Sequence, residues 1–142
     1  MNILMIDDDA GILESLTEIM KPAMYNCSTT TSPNEGLALM KKFNYDLVIT
    51  DIRMEEMDGK EMIKKIRKMN EGIKIIVISA YCDSQLVHFL LDFHIWSYFK
   101  KPLNIKEFMG VLADIEKKVV HDNKRHLDLY KNKNNDFFRR FK

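Results

Sequence analysis

The segment LVITDIRMEEMDG, residues 47–59, decides the fold. Its first four residues, Leu47–Thr50, are apolar or β-branched, which is typical of a strand buried on both faces. The strand leads into a single carboxylate, Asp51, and then into an acidic, methionine-rich loop that ends in Asp-Gly. Because an unpaired buried charge is costly, Asp51 is expected to have partners or a metal ion, or to lie exposed at the strand tip.

Similar apolar runs alternate along the chain with segments of helical spacing. Five strands are predicted, at Ile3–Ile6, Met24–Thr30, Leu47–Thr50, Ile75–Ile78 and Trp96–Phe99. Five helices are predicted, with apolar faces that run from Ile12 to Met20, Leu37 to Phe43, Met62 to Met69, Leu86 to Phe93 and Ile105 to Val119. Ser32, before Pro33, and Asn104 are predicted to cap the second and the fifth helix. Strict alternation and near-continuous apolar strands indicate an α/β fold, with a parallel sheet covered on both faces.

Composition and charge limit the class of protein. The 142 residues suit one domain, and an apolar fraction of 46% supports a real core. The net charge of +1 indicates no particular class of partner, but the basic and acidic residues are unevenly distributed along the chain. Residues 117–142 hold nine Lys or Arg against three Asp, whereas the first 116 residues hold 13 basic against 18 acidic residues. An acidic body therefore carries a basic tail.

Neither secretion nor membrane insertion is indicated. The opening MNILMI is too short for a signal-peptide core, and no apolar run approaches the ~20 residues of a membrane span. Cys27 and Cys82 lack metal-type spacing, and nothing demands a disulfide between them. We therefore expect a reduced, cytoplasmic protein.

Polar residues stand where the predicted strands end. In open parallel sheets, ligands bind outside the carboxyl ends of the strands. These ends carry Asp7-Asp8-Asp9 after the first strand, Asp51 after the third, Ser79-Ala80 after the fourth and Lys100-Lys101-Pro102 after the fifth. Taken singly, each has a plain structural explanation, and Asp9 and Asp58 are expected only to begin helices. Together they predict that carboxylates, a hydroxyl and an amine converge at one edge of the sheet.

This combination of groups is suited to phosphoryl transfer. Clustered carboxylates repel one another and favour a hard divalent cation, and an open site with oxygen ligands suits Mg²⁺. Asp51 can act as a nucleophile toward phosphorus, and the metal offsets charge on the phosphoryl oxygens. A lysine ammonium and a serine hydroxyl can contact the same oxygens. No strong base is needed, because positioning and charge stabilisation dominate this chemistry.

Four segments also carry a resemblance to a known family. ILMIDDD, DLVITDIRMEEMDG, IIVISAY and SYFKKPL, at residues 3–9, 46–59, 75–81 and 97–103, closely resemble the signature segments of the two-component response regulator receiver (CheY-like) domain. The resemblance runs from about Asn2 to Val119. It implies a flavodoxin-like fold, in which a doubly wound five-stranded parallel sheet of order 2-1-3-4-5 is flanked by five helices. Residues 1–119 are then the receiver domain, and residues 120–142 are a basic C-terminal extension or the start of a linker.

The resemblance implies a role for each residue of the acidic cluster. Asp51 is the expected phosphoacceptor. Asp8 is expected to ligate Mg²⁺ directly and Asp7 through water, with Asp51 and the backbone carbonyl of Arg53 as further ligands. Glu55 replaces the proline that is common in this loop, which is expected to loosen it.

The remaining roles concern the phosphoryl group and the switch. Ser79, the Ala80 backbone and Lys101 are expected to bind the phosphoryl group, and Lys101 is preferred to Lys100 because alternate strand residues point to opposite faces. Ser79 and Tyr98 are the expected switch residues. The family usually has a cis peptide before the proline that follows this lysine, and it adjusts the phosphoryl lifetime at the positions of Arg53 and Tyr81.

These roles imply a phosphorylatable signalling switch rather than an enzyme that turns over a substrate. A histidine kinase or phosphotransfer protein would donate the phosphoryl group, and the only self-catalysed steps are phosphoryl transfer and slow autodephosphorylation. The expected output is a downstream protein or attached domain that reads the face formed by the fourth helix, fifth strand and fifth helix. A homodimer linked to phosphorylation is a further expectation.

The sequence disfavours three other functions. An aspartate-nucleophile phosphatase also uses Mg²⁺, but it generally has a second aspartate where this chain has Arg53. A receiver fold that signals without phosphorylation is disfavoured because every expected site residue is present. A nucleotide-binding site is disfavoured because no glycine-rich loop follows the first strand.

The basic tail is open to several interpretations. Heptad spacing meets Asp122 and His126 after Val119, so a long coiled coil is not favoured. The end KNKNNDFFRRFK could bind nucleic acid, an acidic partner or a membrane surface. A solvated extension is preferred, and we expect no membrane binding and no nucleic-acid binding by this segment.

Overall fold

Strands and helices alternate along the described residues, as the sequence predicts. The structure is a computed structural model that describes the backbone of residues 1–140 and the side chains of residues 1–129 and 131. The strands are β1 (Asn2–Ile6), β2 (Asn26–Thr30), β3 (Leu47–Thr50), β4 (Lys74–Ser79) and β5 (Ser97–Lys100). The α-helices are α1 (Ala10–Met20), α2 (Pro33–Lys42), α3 (Gly59–Met69), α4 (Ser84–Asp92) and α5 (Ile105–Arg140). A short 3-10 helix, Lys21–Ala23, follows α1.

The five strands form one parallel sheet in the order β2-β1-β3-β4-β5, which confirms the predicted topology. Ile6 pairs with Thr50, and Thr50 pairs with Val77, so β1 and β3 end level and β4 extends two residues further, to Ser79. The chain leaves β1 toward β2 on one side and returns to β3 on the other. The order therefore reverses beside β1, where α/β sheets place their ligand sites.

Both faces of the sheet are buried, because alternate strand residues point to opposite sides. Ile3 and Met5 join one hydrophobic cluster, which includes Leu13 of α1 and Phe108 of α5. Leu4 and Ile6 join the other, to which α3 and α4 contribute. This double coverage explains why the central strands are apolar throughout.

Local chemistry sets the element boundaries. Strand β2 begins at Asn26, two residues later than predicted, because Met24 has a positive φ of 58° that a strand cannot accommodate. The predicted caps are confirmed: the Ser32 side chain accepts from the Glu35 N–H, and the Asn104 side chain accepts from the Glu107 N–H.

Helix α5 differs from the prediction, since it continues past Val119 to Arg140. Asp122, which interrupts the heptad pattern, forms ion pairs with Lys118 at 3.1 Å and with Lys74 at 3.5 Å. These pairs stabilise the helix where the apolar stripe stops, and they join it to the start of β4. Val120, Leu127 and Leu129 of this extension are exposed. The division after Val119 stays a prediction, and Phe141 and Lys142 lie outside the described residues.

Two further expectations concern location. Cys27 and Cys82 both have free thiols. Within the described part of the chain, no helix combines the length and the apolar character that a membrane crossing requires. The cytoplasmic location stays a prediction.

Candidate functional site

The acidic residues predicted to converge do lie together. Asp7 and Asp8 follow β1, Asp51 follows β3, and one carboxylate oxygen from each lies within 4.8 Å of the others. Asp7 and Asp51 are buried, at 5% and 7% exposure, whereas Asp8 is exposed. Asp9 lies outside this cluster and caps α1, as predicted, by accepting from the Gly11 and Ile12 N–H groups.

The buried carboxylate of Asp51 has partners for both oxygens. Its Oδ1 accepts from the Ile52 N–H at 2.6 Å and from the Arg53 N–H at 3.4 Å. Its Oδ2 accepts from the Lys101 ammonium at 2.8 Å. Among the described residues, no buried side-chain nitrogen or oxygen lacks a hydrogen-bond partner. Asp51 is therefore a buried, compensated charge that lies beside an open edge of the sheet.

Lys101 is the cation of the site. Its Nζ lies 3.0 Å from Asp7 Oδ2 and 2.8 Å from Asp51 Oδ2, whereas Lys100 is exposed. Burial raises the pKa of the Asp7 carboxyl, although the Asp9 N–H and Lys101 oppose that rise. Burial lowers the pKa of Lys101, but its hydrogen bonds to both carboxylates outweigh that effect and the net shift is upward. The ammonium thus stays charged and offsets part of the carboxylate repulsion.

The hydroxyl predicted for the site is buried at the end of β4. Ser79 is 1% exposed, and its Oγ accepts from the Tyr81 N–H at 3.2 Å. Its carbonyl accepts from the Lys101 N–H at 3.0 Å and from the Tyr98 hydroxyl at 3.3 Å. Ala80 follows at an exposed position. Ser79 therefore contacts both Lys101, the cation of the site, and Tyr98, the predicted switch residue.

Arg53 and Tyr81 form a contact that the sequence did not indicate. The Arg53 guanidinium lies 3.7 Å from the centre of the Tyr81 ring, a cation–π geometry. The Tyr81 hydroxyl donates to Asp83, whose other oxygen accepts from the Leu86 N–H at 2.7 Å and caps α4. An aspartate directly before an apolar helical run is a cap signal that would have identified Asp83. Arg53 and Tyr81 border an open cleft of about 540 Å³ that Asp8 also lines.

The loop after Asp51 is held close to the strand tip. The Glu55 N–H donates to Asp8 Oδ2 at 3.4 Å, a bond that proline at this position could not make. At the end of the loop, the Gly59 N–H donates to the Ile52 carbonyl at 2.7 Å. A Cβ atom on Gly59 would lie 2.5 Å from both the Asp51 carbonyl oxygen and the Ile52 Cα. A side chain at Gly59 would therefore displace the backbone of Asp51.

We expect Gly59→Ala to lower the free energy of unfolding by about 1–3 kcal/mol, because the methyl group meets backbone atoms that cannot yield by a rotamer change. Gly110→Ala is the matched control, since Gly110 lies on the exposed face of α5 with nothing within 4 Å of its Cβ position. That control should stabilise the protein by about 0.5–1 kcal/mol. Urea denaturation measures both changes, and equal stabilisation by the two variants would contradict the close approach at Gly59.

The donor set fits a hard divalent cation. Three carboxylate oxygens within 4.8 Å of one another, of which one belongs to an exposed residue, suit Mg²⁺, which takes one or two carboxylates and keeps several waters. The one positive charge of Lys101 does not balance the negative charges of the three carboxylates. The site therefore suits a divalent cation through its net negative charge as well as through its oxygen ligands.

Comparisons with known proteins agree with this geometry. The family model of the response regulator receiver domain matches residues 3–113. Transcriptional regulatory protein GlrR of Escherichia coli (strain K12) is 31% identical over 103 residues, a match that covers 72% of this chain and 23% of that protein. The chain thus spans under a quarter of the length of this relative.

Solved structures are similar over most of the chain. A CheY-like response regulator receiver domain protein from Methanospirillum hungatei JF-1 is 29% identical with a TM-score of 0.76, over 87% of this chain and 97% of that one. Response regulator protein TrrA from Thermotoga maritima, in complex with Mg²⁺ and BeF, is 32% identical with a TM-score of 0.71, over 80% of this chain and 97% of that one. The protein belongs to the response regulator receiver domain family of two-component signalling proteins.

Proposed function

We propose that Asp51 is the phosphoacceptor through which this receiver domain is switched. The observation that carries the proposal is the position of Lys101, whose ammonium bridges Asp51 and Asp7 at the edge of the sheet. Asp51 Oδ1 accepts from the backbone, whereas its Oδ2 faces the ammonium. Oδ2 thus lies next to the positive charge of Lys101. The same ammonium could contact the oxygens of an incoming phosphoryl group.

Asp7, Asp8, Asp51 and the backbone carbonyl of Arg53 would hold a Mg²⁺ ion in this proposal. The fit of the carboxylate oxygens supports it, as does the complex of TrrA with Mg²⁺ and BeF. When bound, the ion supplies positive charge that offsets the charge on the phosphoryl oxygens. The metal is thus expected to be required for phosphorylation.

The transfer itself needs few protein groups. An Asp51 carboxylate oxygen attacks the phosphorus of a phosphohistidine on a histidine kinase or phosphotransfer protein. The new O–P bond forms as the P–N bond breaks, and the departing imidazole takes a proton from solvent. Lys101 contacts one phosphoryl oxygen, while the Ala80 N–H and the Ser79 hydroxyl donate to others.

Ser79 and Tyr98 would pass the change to the surface. When Ser79 Oγ turns to the phosphoryl group, it no longer accepts from the Tyr81 N–H. Tyr98 donates to the Ser79 and Tyr81 carbonyls, so a shift of this segment alters its position. The expected output face consists of α4, β5 and α5, with exposed Val87 and Leu91 on α4. A downstream protein, an attached output domain or a second copy is expected to read this face.

Sustained catalysis is not part of the proposed function. The second aspartate of aspartate-nucleophile phosphatases is replaced by Arg53, whose guanidinium is stacked on Tyr81. No acid–base pair for turnover is therefore supplied at that position. Loss of the phosphoryl group is expected only by slow self-catalysed hydrolysis.

The experiment is phosphorylation by a small donor. Incubation with acetyl phosphate and Mg²⁺ should add one phosphoryl group per chain, detected by intact mass and removed by hydroxylamine, which cleaves acyl phosphates. Chelation of Mg²⁺ should abolish the addition. An unchanged mass, under conditions that label a control receiver domain, would contradict the proposal, and steady hydrolysis of phosphomonoesters would favour a phosphatase.

A further inference from the structure

The loop that follows Asp51 is tied to helix α2 by one side chain. Glu56 Oε1 accepts from the Ser32 hydroxyl at 2.8 Å and from the Asn34 N–H at 3.1 Å. Both donors belong to the amino-terminal turn of α2, a helix that packs against β1, β2 and α3. The contact therefore joins the loop of the acidic cluster to an element that has no place in the phosphoryl site.

Glu56 completes the cap of α2. Pro33 has no N–H, the Glu35 N–H bonds to Ser32 Oγ, and the Asn34 N–H is satisfied by Glu56. The Ser32 hydroxyl and the Asn34 N–H hold the pKa of the Glu56 carboxyl below its usual range. The carboxylate is therefore ionised and favourably placed at a helix amino terminus at neutral pH.

The bonds between the loop and the acidic cluster are long and depend on the path of the loop. The Glu55 N–H lies 3.4 Å from Asp8 Oδ2, and the Arg53 N–H lies 3.4 Å from Asp51 Oδ1. Glu56 is the neighbour of Glu55, and the buried Met54 and Met57 flank this exposed pair. Because Arg53 belongs to this loop, the path of the loop also determines the direction of the Arg53 carbonyl.

We propose that Glu56 is a positioning residue, which fixes the loop through α2 and so holds the Arg53 carbonyl and the Glu55 N–H beside the acidic cluster. The inference rests on the proposed Mg²⁺ site and adds a residue to the support of that site. Its physical basis is preorganisation, because an anchored loop loses less conformational freedom when the ion binds. Mg²⁺ affinity should therefore depend on an exposed side chain that does not touch the ion.

The test uses Glu56→Ala, Glu56→Gln and, as a control, Glu71→Ala, which removes the same charge from the loop between α3 and β4 at the opposite edge of the sheet. Mg²⁺ dissociation constants are measured by calorimetry. Amide hydrogen exchange of residues 52–58 and Asn34 is measured in the metal-free proteins. Circular dichroism checks that each variant is folded.

Glu56→Ala should weaken Mg²⁺ binding on the order of tenfold and speed exchange in the loop. Glu56→Gln removes the charge but keeps an oxygen acceptor, so its dissociation constant should stay within about twofold of wild type. Glu71→Ala should change neither quantity. Unchanged Mg²⁺ affinity and exchange in Glu56→Ala would overturn the inference, and so would a glutamine variant as weak as the alanine variant. A wild-type protein that binds no Mg²⁺ would instead overturn the proposed function.

Discussion

Asp51→Asn should abolish phosphorylation by acetyl phosphate. The asparagine amide is not a nucleophile toward phosphorus, whereas its oxygen can still accept from the Ile52 N–H that Asp51 Oδ1 now binds. Lys101 keeps its second partner, Asp7, at 3.0 Å, so the ammonium remains compensated. The fold should therefore persist while the added phosphoryl group disappears from the intact mass.

The matched control is Asp58→Asn. Asp58 accepts from the Lys60 N–H at 2.8 Å and caps α3, a function that asparagine also performs. This variant should be phosphorylated to the same extent as wild type. If Asp51→Asn still acquired a hydroxylamine-sensitive phosphoryl group, the acceptor would have to be another carboxylate, and the proposed mechanism would be wrong.

Phe108→Ala should lower the free energy of unfolding by about 3–5 kcal/mol. Phe108 is fully buried, and its ring meets the Phe99 ring edge-on, with centroids 5.5 Å apart. Truncation would leave a cavity between α5 and β5 and would remove this aromatic pair. Urea denaturation with a two-state fit measures the change.

Phe43→Ala makes the same chemical deletion at a surface position. Phe43 is 58% exposed at the end of α2, so its loss should change the free energy of unfolding by no more than about 0.5 kcal/mol. Phe108→Leu should retain more of the stability than Phe108→Ala, because it leaves a smaller cavity. Similar losses for Phe108→Ala and Phe43→Ala would show that α5 does not pack on the sheet as described.

Elements that depend on local chemistry were predicted well. Ser32-Pro33 and Asn104 begin helices, because cap residues act through neighbouring N–H groups. The start of β2 and the end of α5 were not predicted. The left-handed conformation of Met24 leaves no trace in residue type, and the ion pair between Asp122 and Lys74 joins residues distant in sequence.

The residues of the candidate site are likewise indicated by the sequence, whereas most of their contacts are not. Asp7, Asp8, Asp51, Ser79 and Lys101 were found from their positions after apolar strands, since parallel strands bring their carboxyl ends to one edge. The partners of Asp51 could not be read from the sequence, because they depend on distances between strand ends. Nothing in the sequence indicates the contacts of Glu56, since its partners on α2 have no fixed spacing from it.

The sequence by itself determined the alternation of strands and helices, the parallel sheet and the group of polar residues at its edge. These features follow from periodicity and composition, which act over a few residues at a time. Only the tertiary structure decided that Lys101 lies between two carboxylates, that Arg53 stacks on Tyr81 and that Glu56 accepts hydrogen bonds from the start of α2. Such contacts depend on how separate elements pack, because a hydrogen bond or ion pair requires an approach within a few ångströms that residue order does not specify.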